Sequence, residues 1–268
     1  WIGTKDGLNR YNGTDFYVFR PVKDDKNSLY NNNIGTICGD KQGHISIRCK
    51  YAVVEYDIKK NTFHTIRDND IQAISYGNTQ LWVCTRDSLF TYNRVEDKLD
   101  YYYNLEGARM SCVIEDSDGN LYVGTMNNGL YMIDGNKKWL NYLPKKDITC
   151  IYEDSKKSIW VGTKDDGLFR LDRNGGITNY GTAPHQNMLS SSYVRCIVED
   201  NLGNYWIGTF KGLDKLNAAT GTFTHYSKDN KPYSLSNSSI ICMMKDRQGT
   251  FWIGTYYGGV NLFNPDYE

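Results

Sequence analysis

The chain has 268 residues and carries 31 Lys and Arg against 31 Asp and Glu, so its formal net charge at pH 7 is zero. This length allows a substantial buried core within one domain. The balanced charge, with no long basic run, argues against nucleic acid as a partner, and the apolar runs fall short of the roughly 18 residues that a membrane helix needs, so we expect no membrane contact by this segment.

One short phrase of the type Trp-x-Gly-Thr recurs seven times. Its copies lie at residues 1–4, 46–49, 82–85, 122–125, 160–163, 206–209 and 252–255. Successive copies begin 36 to 46 residues apart, and a period near 40 with an aromatic residue, a Gly and a Thr is typical of propeller blades. The repeat predicts a single all-β domain over residues 1–268, a seven-bladed β-propeller of four-stranded antiparallel blades.

Each repeat is predicted to form four strands, A to D, with the recurring phrase on strand B. The sixth copy shows this best, with strand A at 193–200, strand B at 205–209, strand C at 213–216 and strand D at 222–226. In this copy Trp206 offers a large surface to the neighbouring blade, Gly208 allows close approach, and Gly212 suits a tight reversal.

The first and last blades are predicted to be incomplete. Strand A precedes only the last six phrases and strand D follows only the first six, so the set is two strands short. Exposed strand edges invite association, and a homodimer is therefore a candidate assembly. The chain also opens inside a repeat, without an initiating Met or a signal-peptide core, and we expect it to be a piece of a longer polypeptide.

The second repeat departs most from the pattern. Its replacements for the Trp, Gly, Thr and Gly of the consensus are Ser46, Arg48, Cys49 and Ala52. Simple decay of the repeat explains them without any function. The alternative hypothesis is that Arg48, near the end of strand B, directs its guanidinium towards a ligand together with Lys50 and Tyr51.

Four repeats share a Cys and an Asp that lie four residues apart. The pairs are Cys112 and Asp116, Cys150 and Asp154, Cys196 and Asp200, and Cys242 and Asp246. Equivalent positions on different blades are too far apart for a disulfide, which needs Cα atoms within about 7 Å, so we interpret the seven cysteines as buried thiols. The Asp residues are predicted to cap the A-to-B turns, with metal binding as the alternative. We predict no metal and no other cofactor.

The two ends of the predicted blades differ in their loops. The A-to-B and C-to-D turns are tight, whereas the B-to-C and D-to-A connections at the other end include long segments at 21–33, 181–192 and 227–239. We call these the tight-turn end and the long-loop end. Because binding residues concentrate in long loops on a rigid scaffold, we expect a ligand at the long-loop end.

The B-to-C loops at the long-loop end carry mixed charges and tyrosines. Candidate ligand-binding residues there are Arg86 and the pair Tyr256 and Tyr257, which lies in a tight, glycine-bounded loop and is the strongest candidate. Aromatic faces beside hydrogen-bonding groups suit a sugar. The same side chains serve a protein interface, where Tyr and Arg are enriched.

His185 is a further candidate, although a single loop histidine is more often a plain surface residue. The other histidines, His44, His64 and His225, show no metal-ligand spacing. The serine-rich stretches at 190–192 and 234–239 lack the context of a nucleophile elbow. We therefore predict no catalytic residues.

Three segments resemble two-component-regulator propeller repeats: WIGTKDGLNRYNG at 1–13, NSLYNNNI at 27–34 and EDNLGNYWIGT at 199–209. Repeats of this family build the extracytoplasmic sensors of hybrid two-component systems in glycan-degrading gut bacteria. In those proteins two seven-bladed propellers usually precede a further β-domain, a membrane helix, a histidine kinase and a DNA-binding response regulator. The resemblance implies that this chain is the first, N-terminal propeller of such a protein.

What the resemblance implies for function is a periplasmic, non-enzymatic receptor segment that senses an oligosaccharide and signals to a cytoplasmic kinase. Its partners are then the oligosaccharide, a second propeller and the further domains of the same polypeptide. Two other hypotheses stay open. A propeller lyase or hydrolase would need His, Glu and Arg converging on the channel mouth, and a structural or secretion-associated propeller would bind proteins only.

Overall fold

A computed structural model of the chain describes residues 1–181, 188–231 and 233–267, and the statements below concern these residues. They form 26 strands in seven antiparallel sheets, together with one 3-10 turn at Pro265–Tyr267. This described part contains no helix of the length and apolar character that a membrane crossing requires.

The first three sheets follow each other along the chain. Sheet one contains β1 (Ile2–Thr4), β2 (Gly7–Tyr11) and β3 (Phe16–Phe19). Sheet two contains β4 (Ile34–Gly39), β5 (His44–Cys49), β6 (Ala52–Asp57) and β7 (Thr62–Arg67). Sheet three contains β8 (Ala73–Tyr76), β9 (Leu81–Cys84), β10 (Ser88–Asn93) and β11 (Lys98–Asn104).

The remaining sheets repeat this order. Sheet four contains β12 (Arg109–Glu115), β13 (Leu121–Met126), β14 (Leu130–Ile133) and β15 (Trp139–Tyr142). Sheet five contains β16 (Ile148–Glu153), β17 (Ile159–Thr163), β18 (Leu168–Leu171) and β19 (Ile177–Tyr180). Sheet six contains β20 (Val194–Glu199), β21 (Tyr205–Thr209), β22 (Leu213–Leu216) and β23 (Phe223–Tyr226). Sheet seven contains β24 (Ile240–Lys245), β25 (Phe251–Thr255) and β26 (Gly259–Phe263).

The fold is therefore a seven-bladed β-propeller, as the sequence predicts. Five sheets have four strands, and the first and last have three each, which confirms the prediction of incomplete terminal blades. The chain divides into two compact units, one of residues 1–123 and 131–140 and one of 124–130 and 141–268. That residues 1–268 act as one domain stays a prediction.

In the first unit, the core of sheets one and two is built from aliphatic and aromatic side chains. Leu8 and Leu29 are buried, and Tyr56 is fully buried in the same cluster. Trp1 meets Tyr56 with ring centroids 5.3 Å apart. The first copy of the phrase thus places its Trp against the following sheet, as the sequence predicts.

In the second unit, the Trp of the phrase packs on its own sheet and on the next. Trp206 is fully buried, stacks on Tyr226 of its own strand D at 5.5 Å and meets Phe251 of sheet seven at 5.7 Å. Trp160 makes the same two kinds of contact. Aromatic pairs contribute about 0.5–1.5 kcal/mol beyond their buried area, so the predicted packing role is confirmed.

Neighbouring atoms lie too close to Gly208 and Gly212 of sheet six for either position to carry a side chain. A Cβ on Gly208 would collide with Cys196 Sγ and would lie 2.6 Å from Ile240 Cγ2. Gly212 does not adopt a left-handed φ, but a Cβ there would lie 2.8 Å from the carbonyl oxygen of Tyr226. The predicted role of Gly208 is confirmed, while Gly212 is required by proximity to strand D rather than by a reversal of φ.

The A-to-B turn of sheet six is closed by Asp200, as predicted. Its Oδ1 accepts hydrogen bonds from the backbone N–H of Leu202 at 2.9 Å and of Asn204 at 2.8 Å. Its Oδ2 accepts from the indole Nε1–H of Trp206 at 3.0 Å. The described residues contain no group of three or more His, Cys, Asp or Glu placed to hold a metal ion.

All seven cysteines lie in the described ranges and form no disulfide. Burial raises the pKa of the Cys38 thiol and of the Cys49 thiol to about 12, so both stay protonated at neutral pH. The prediction of thiols is confirmed, and the prediction that they are buried is confirmed for Cys49 and Cys84. Cys38, Cys112, Cys150 and Cys196 are only partly buried, and the prediction is wrong for Cys242, which is exposed. Its strand β24 is partly open to solvent, with Ile241 and Met244 exposed beside it.

Replacing Asp200 by Ala should lower the free energy of unfolding by about 2–4 kcal/mol. The substitution leaves the N–H groups of Leu202, Asn204 and Trp206 without their acceptor, and an unsatisfied buried donor costs about 1–3 kcal/mol. Urea unfolding measures the change. The exposed Asp165→Ala is the matched control and should stay within about 0.5 kcal/mol of the parent. An equal effect of the two substitutions would contradict the capping role.

Candidate functional site

Five side chains of sheets six and seven gather at the long-loop end, and we call them the aromatic platform. The platform consists of Tyr193, Arg195, Phe210, Tyr256 and Tyr257. Tyr193 directly precedes β20, Phe210 follows β21, and the two remaining tyrosines follow β25. Phe210, Tyr256 and Tyr257 are exposed. The platform is thus an accessible surface within the second unit.

The first half of the platform is flat. The rings of Tyr193 and Phe210 are nearly parallel, at 13°, with centroids 6.2 Å apart. The guanidinium carbon of Arg195 lies 4.6 Å from the Tyr193 centroid and 5.1 Å from the Phe210 centroid. A cation at these distances is attracted to the ring faces by about 0.5–1 kcal/mol at an exposed site. The guanidinium of Arg195 therefore packs on both rings.

The second half is the tyrosine pair that the sequence singles out. The rings of Tyr256 and Tyr257 meet edge to face with centroids 4.4 Å apart. Tyr257 has a φ of 54° and is 81% exposed. A left-handed backbone is uncommon for a bulky residue, and the hydrogen bond from Thr255 Oγ1 to the Gly259 carbonyl, at 3.1 Å, closes the loop that holds it. The loop thus displays an aromatic side chain to solvent.

Ser239 joins the two halves. Nη1 of Arg195 donates to Ser239 Oγ at 2.9 Å and to the Ile240 carbonyl at 3.1 Å. The backbone N–H of Tyr256 donates to the Ser239 carbonyl at 2.9 Å. One residue therefore fixes the guanidinium and the start of the tyrosine loop relative to each other.

A bulge in strand A places Arg195 on this surface. The pairing of β20 with β21 shifts register between Val194 and Cys196, and the same shift occurs in sheets two, five and seven. A bulge adds one residue to a strand and re-aims its side chain. The residue at the bulge is Gly35 in sheet two, Thr149 in sheet five and Ile241 in sheet seven. Sequence reasoning missed Arg195 because the extra residue is invisible in a simple repeat count.

Sequence reasoning also did not identify Tyr193 and Phe210 as candidate site residues. Phe210 occupies the same place after the phrase as Tyr256, immediately beyond the Thr. Aligning the repeats at that position would have identified it. Tyr193 has no such signal, because only the stacking of its ring on Phe210 makes it part of the platform.

The structure brings three predicted residues of sheet two together. Nη1 of Arg48 donates to the Lys50 carbonyl at 2.8 Å, and Lys50 Nζ lies 5.8 Å from the ring centroid of the exposed Tyr51. The Arg48 guanidinium occupies the space beside Gly35, where a Cβ would collide with it. Burial lowers the pKa of Arg48, and its Nε is buried without a hydrogen-bond partner. That these residues bind a ligand stays a prediction.

The two remaining predicted residues are Arg86, in sheet three, and His185. Arg86 is exposed at the start of the B-to-C loop of sheet three, and its carbonyl accepts from the Met110 N–H at 2.8 Å. His185 lies outside the described residues. Neither position is tested as a binding residue by the geometry.

A serine, an aspartate and a histidine of sheet six form a network of structural character. Ser190 Oγ donates to Asp214 Oδ2 at 3.0 Å, and His225 Nδ1 lies 2.7 Å from Asp214 Oδ1. The carboxylate is fully buried between the other two groups. A serine nucleophile needs the histidine next to its hydroxyl, so this arrangement holds the D-to-A loop on strand C and does not activate Ser190.

The tight-turn end of the second unit contains an open groove of about 530 Å³. Its lining includes the exposed Leu202, with Lys156 and Lys245 and the turn residues around Asp200. Its volume is within the range of small-molecule sites. The groove is formed mainly by turn residues, whereas the platform offers exposed aromatic faces.

The family described as Two component regulator propeller matches four stretches of the chain. They are residues 104–127, 142–165, 188–211 and 234–257. Together they make up about a third of the chain, and each contains strands A and B of one blade. The resemblance found in the sequence is confirmed for these repeats. None of the curated proteins matches the sequence.

Three solved structures illustrate the shared fold. The extracellular domain of a hybrid two component system, BT4673 from B. thetaiotaomicron, has a TM-score of 0.82 and 23% identity over 98% of this chain and 36% of that chain. PorZ, a surface component of the type-IX secretion system of Porphyromonas gingivalis, has a TM-score of 0.70 and 17% identity over 96% and 43%. Virginiamycin B lyase from Staphylococcus aureus has a TM-score of 0.76 and 12% identity over 96% and 87%.

These identities show the fold alone. The chain spans about a third of the BT4673 domain and less than half of PorZ, but most of the lyase. The same fold therefore occurs in a two component system, a secretion component and an enzyme, and function has to be argued from the side chains.

Replacing Arg48 by Met should leave the free energy of unfolding unchanged or raise it by about 1 kcal/mol. Met fills similar space without a buried guanidinium whose Nε lacks a partner. The matched control is Arg94→Met, because Arg94 is ion-paired to Glu55 at 2.6 Å and to Asp40 at 3.3 Å. It should cost about 2 kcal/mol, since the pair is only partly exposed. Urea unfolding compares the two, and a larger loss for Arg48→Met would show that Arg48 supports the fold.

Proposed function

We propose that this chain, which carries two-component regulator propeller repeats, is a non-enzymatic, ligand-sensing propeller in the extracytoplasmic part of a hybrid two-component receptor. The repeats matched in four blades support this proposal, as does the similarity of fold to the extracellular domain of BT4673. The receptor would lie in the periplasm and signal to a cytoplasmic histidine kinase.

The proposed ligand is an oligosaccharide bound on the aromatic platform, and the platform is the observation that carries this assignment. Sugar rings have apolar faces that stack on aromatic side chains and hydroxyl groups that need hydrogen-bond partners. Phe210, Tyr256 and Tyr257 supply exposed rings, and the hydrogen bonds to Ser239 fix Arg195 and the start of the tyrosine loop relative to each other. A preformed site loses less conformational freedom on binding.

Signalling requires that the ligand bind one arrangement of the receptor more tightly than another, because equal affinity shifts no equilibrium. The long-loop end is suited to this, since its loops are the parts of each blade that project beyond the sheets. We propose a second propeller, the further domains of the same polypeptide or a second copy of the chain as the surfaces against which the liganded platform packs.

A lyase or hydrolase activity has less support. Each of the three histidines within the described residues contacts an aspartate: His44 with Asp40, His64 with Asp97 and His225 with Asp214. The platform itself consists of aromatic rings and one guanidinium, and none of its five side chains is a histidine, a cysteine or a carboxylate. A protein-binding role is the second candidate, because exposed Tyr and Arg are also typical of interface hot spots.

Alanine substitution of the platform rings should weaken oligosaccharide binding without affecting stability. Calorimetric titration of the full-length native polypeptide that carries this chain, with a panel of plant, host and microbial oligosaccharides, tests this. We expect Phe210→Ala, Tyr256→Ala and Tyr257→Ala each to reduce affinity about 2- to 10-fold, which corresponds to the 0.5–1.5 kcal/mol of one aromatic contact.

Tyr101→Ala is the matched control, since Tyr101 is an exposed tyrosine on the outer strand β11. It should leave the affinity unchanged. Bound ligand at about 100 times its dissociation constant should also stabilise the protein by about 2.7 kcal/mol. Absence of binding to every oligosaccharide would reject the proposed ligand class, and equal losses for Tyr101→Ala and Tyr256→Ala would reject the platform as the site.

A further inference from the structure

We propose that the ligand of the platform is an anionic oligosaccharide and that Arg195 binds its carboxylate or sulfate group. This inference rests on the function proposed above and names the class of sugar.

Arg195 has no carboxylate partner among the described residues. Other guanidinium groups of the chain are ion-paired, as Arg20 is with Asp6 at 2.6 Å and Arg94 with Glu55 at 2.6 Å. The side chain of Arg195 instead lies on two aromatic rings and two neutral oxygens. Its positive charge is therefore available to a bound anion.

The two hydrogen bonds of Arg195 leave its recognition edge open. Both come from Nη1, to Ser239 Oγ and to the Ile240 carbonyl. Within the described chain neither Nε nor Nη2 donates a hydrogen bond. The edge with these two nitrogens can therefore donate two parallel hydrogen bonds to an oxyanion. This fork matches the geometry of a carboxylate or sulfate, and the tether to Ser239 orients it in advance.

The surrounding charges favour an anion. Lys211, next to Phe210, and Lys228 are exposed at the same end of sheet six. The backbone N–H of Lys228 donates to Ser238 Oγ at 2.9 Å, which places it beside the platform. Asp229, which follows Lys228, lies 3.9 Å from Lys231 Nζ, and the carboxylate of Asp214 is fully buried and already bound by Ser190 and His225. A cationic surface raises the local concentration of anionic ligands.

A purely structural role does not require the charge. In sheet five, Thr149 stands at the same bulge position, and its neutral hydroxyl donates to the Val194 carbonyl of sheet six at 2.6 Å. That hydrogen bond is equivalent to the one from Arg195 to Ile240. The repeat can thus link neighbouring sheets with a small neutral residue, and the guanidinium of Arg195 adds a function beyond this link.

The test titrates the full-length native polypeptide with matched acidic and neutral probes. Tetragalacturonate is compared with its methyl ester, and a heparin tetrasaccharide with its desulfated, carboxyl-reduced form. We expect at least one acidic probe to bind at least about 10-fold more tightly than its neutral counterpart, and this difference to shrink at high salt. A difference in the galacturonate pair identifies uronate recognition. A difference confined to the heparin pair is assigned to sulfate or carboxylate with a third heparin probe that is desulfated but keeps its carboxylates.

Arg195→Gln should lower the affinity for the acidic probe about 10- to 100-fold, as expected for a charge-assisted pair of hydrogen bonds. Arg195→Lys keeps the charge and should retain part of the preference for the acidic probe. Arg247→Gln, at an exposed turn of the opposite end, makes the same charge change and should have no effect. Thermal unfolding of each variant separates loss of binding from loss of folding.

Three results would overturn the inference. Equal affinity for the acidic and neutral members of both pairs, or binding of neutral oligosaccharides only, would show that the ligand is not anionic and would leave the proposed sensor function standing. An unchanged acidic preference in folded Arg195→Gln would place the anion elsewhere. Failure of every acidic and neutral oligosaccharide to bind would reject the proposed function together with the inference.

Discussion

The hydrogen bond between the recurring Trp and the Asp of the A-to-B turn is the interaction on which sheets five, six and seven of this propeller depend. The indole Nε1–H of Trp160 donates to Asp154 Oδ2 at 2.8 Å, and Trp206 and Trp252 repeat the contact at 3.0 Å. The same carboxylate holds the backbone of its turn. Because the rings of Trp160 and Trp206 also pack on strand D of their own sheet and on the following sheet, each of these two side chains connects its turn, its sheet and the neighbouring sheet. Strands A and B are thereby fixed at one end and can carry variable residues at the other.

Sheets that lost one member of this pair replace it from elsewhere, which argues against simple decay. In sheet two, where Ser46 stands in place of Trp, Asp40 is contacted by His44 at 2.6 Å and by Arg94 at 3.3 Å. In sheet three, where Gly77 occupies the turn, Trp82 donates to Glu115 Oε2 at 2.7 Å. A buried polar group without a partner is costly, so a change at one position favours a compensating change at a neighbour. The packing positions show the same exchange: Cys196 faces Gly208 in sheet six, while Ala73 faces Cys84 in sheet three.

The sequence predicted the fold far better than the site. The period of the phrase, the turn signals around Asp200 and the counted strands sufficed for the class, the blade number and the incomplete first and last sheets, because these depend on local patterns that recur. The site depends on pairs that are distant in sequence. Tyr256 and Tyr257 are visible as exposed neighbours in a loop, but the parallel rings of Tyr193 and Phe210 and the tether from Arg195 to Ser239 exist only after two blades are packed together. The bulge also shifts by one residue which side chains of strand A point to each face of the sheet. The simple alternation of side chains along a strand does not predict this shift.

Comparing Arg195 with Thr149 shows which part of this position is structural and which part differs between repeats. Both side chains stand at the bulge of strand A and both reach the carbonyl of the first strand residue of the next sheet, so the inter-sheet link is conserved while the chemistry differs. Arg48 shows the complementary case: its guanidinium fills the space left by Gly35 and keeps a buried Nε without a partner. Arg48, whose buried Nε has no hydrogen-bond partner, and Arg195, which has no carboxylate partner among the described residues, both lie at the long-loop end of their sheets. The tight-turn end, by contrast, holds the Trp–Asp contacts and the contacts that replace them. Because the contacts that stabilise the sheets lie at one end, residues at the other end can differ from blade to blade.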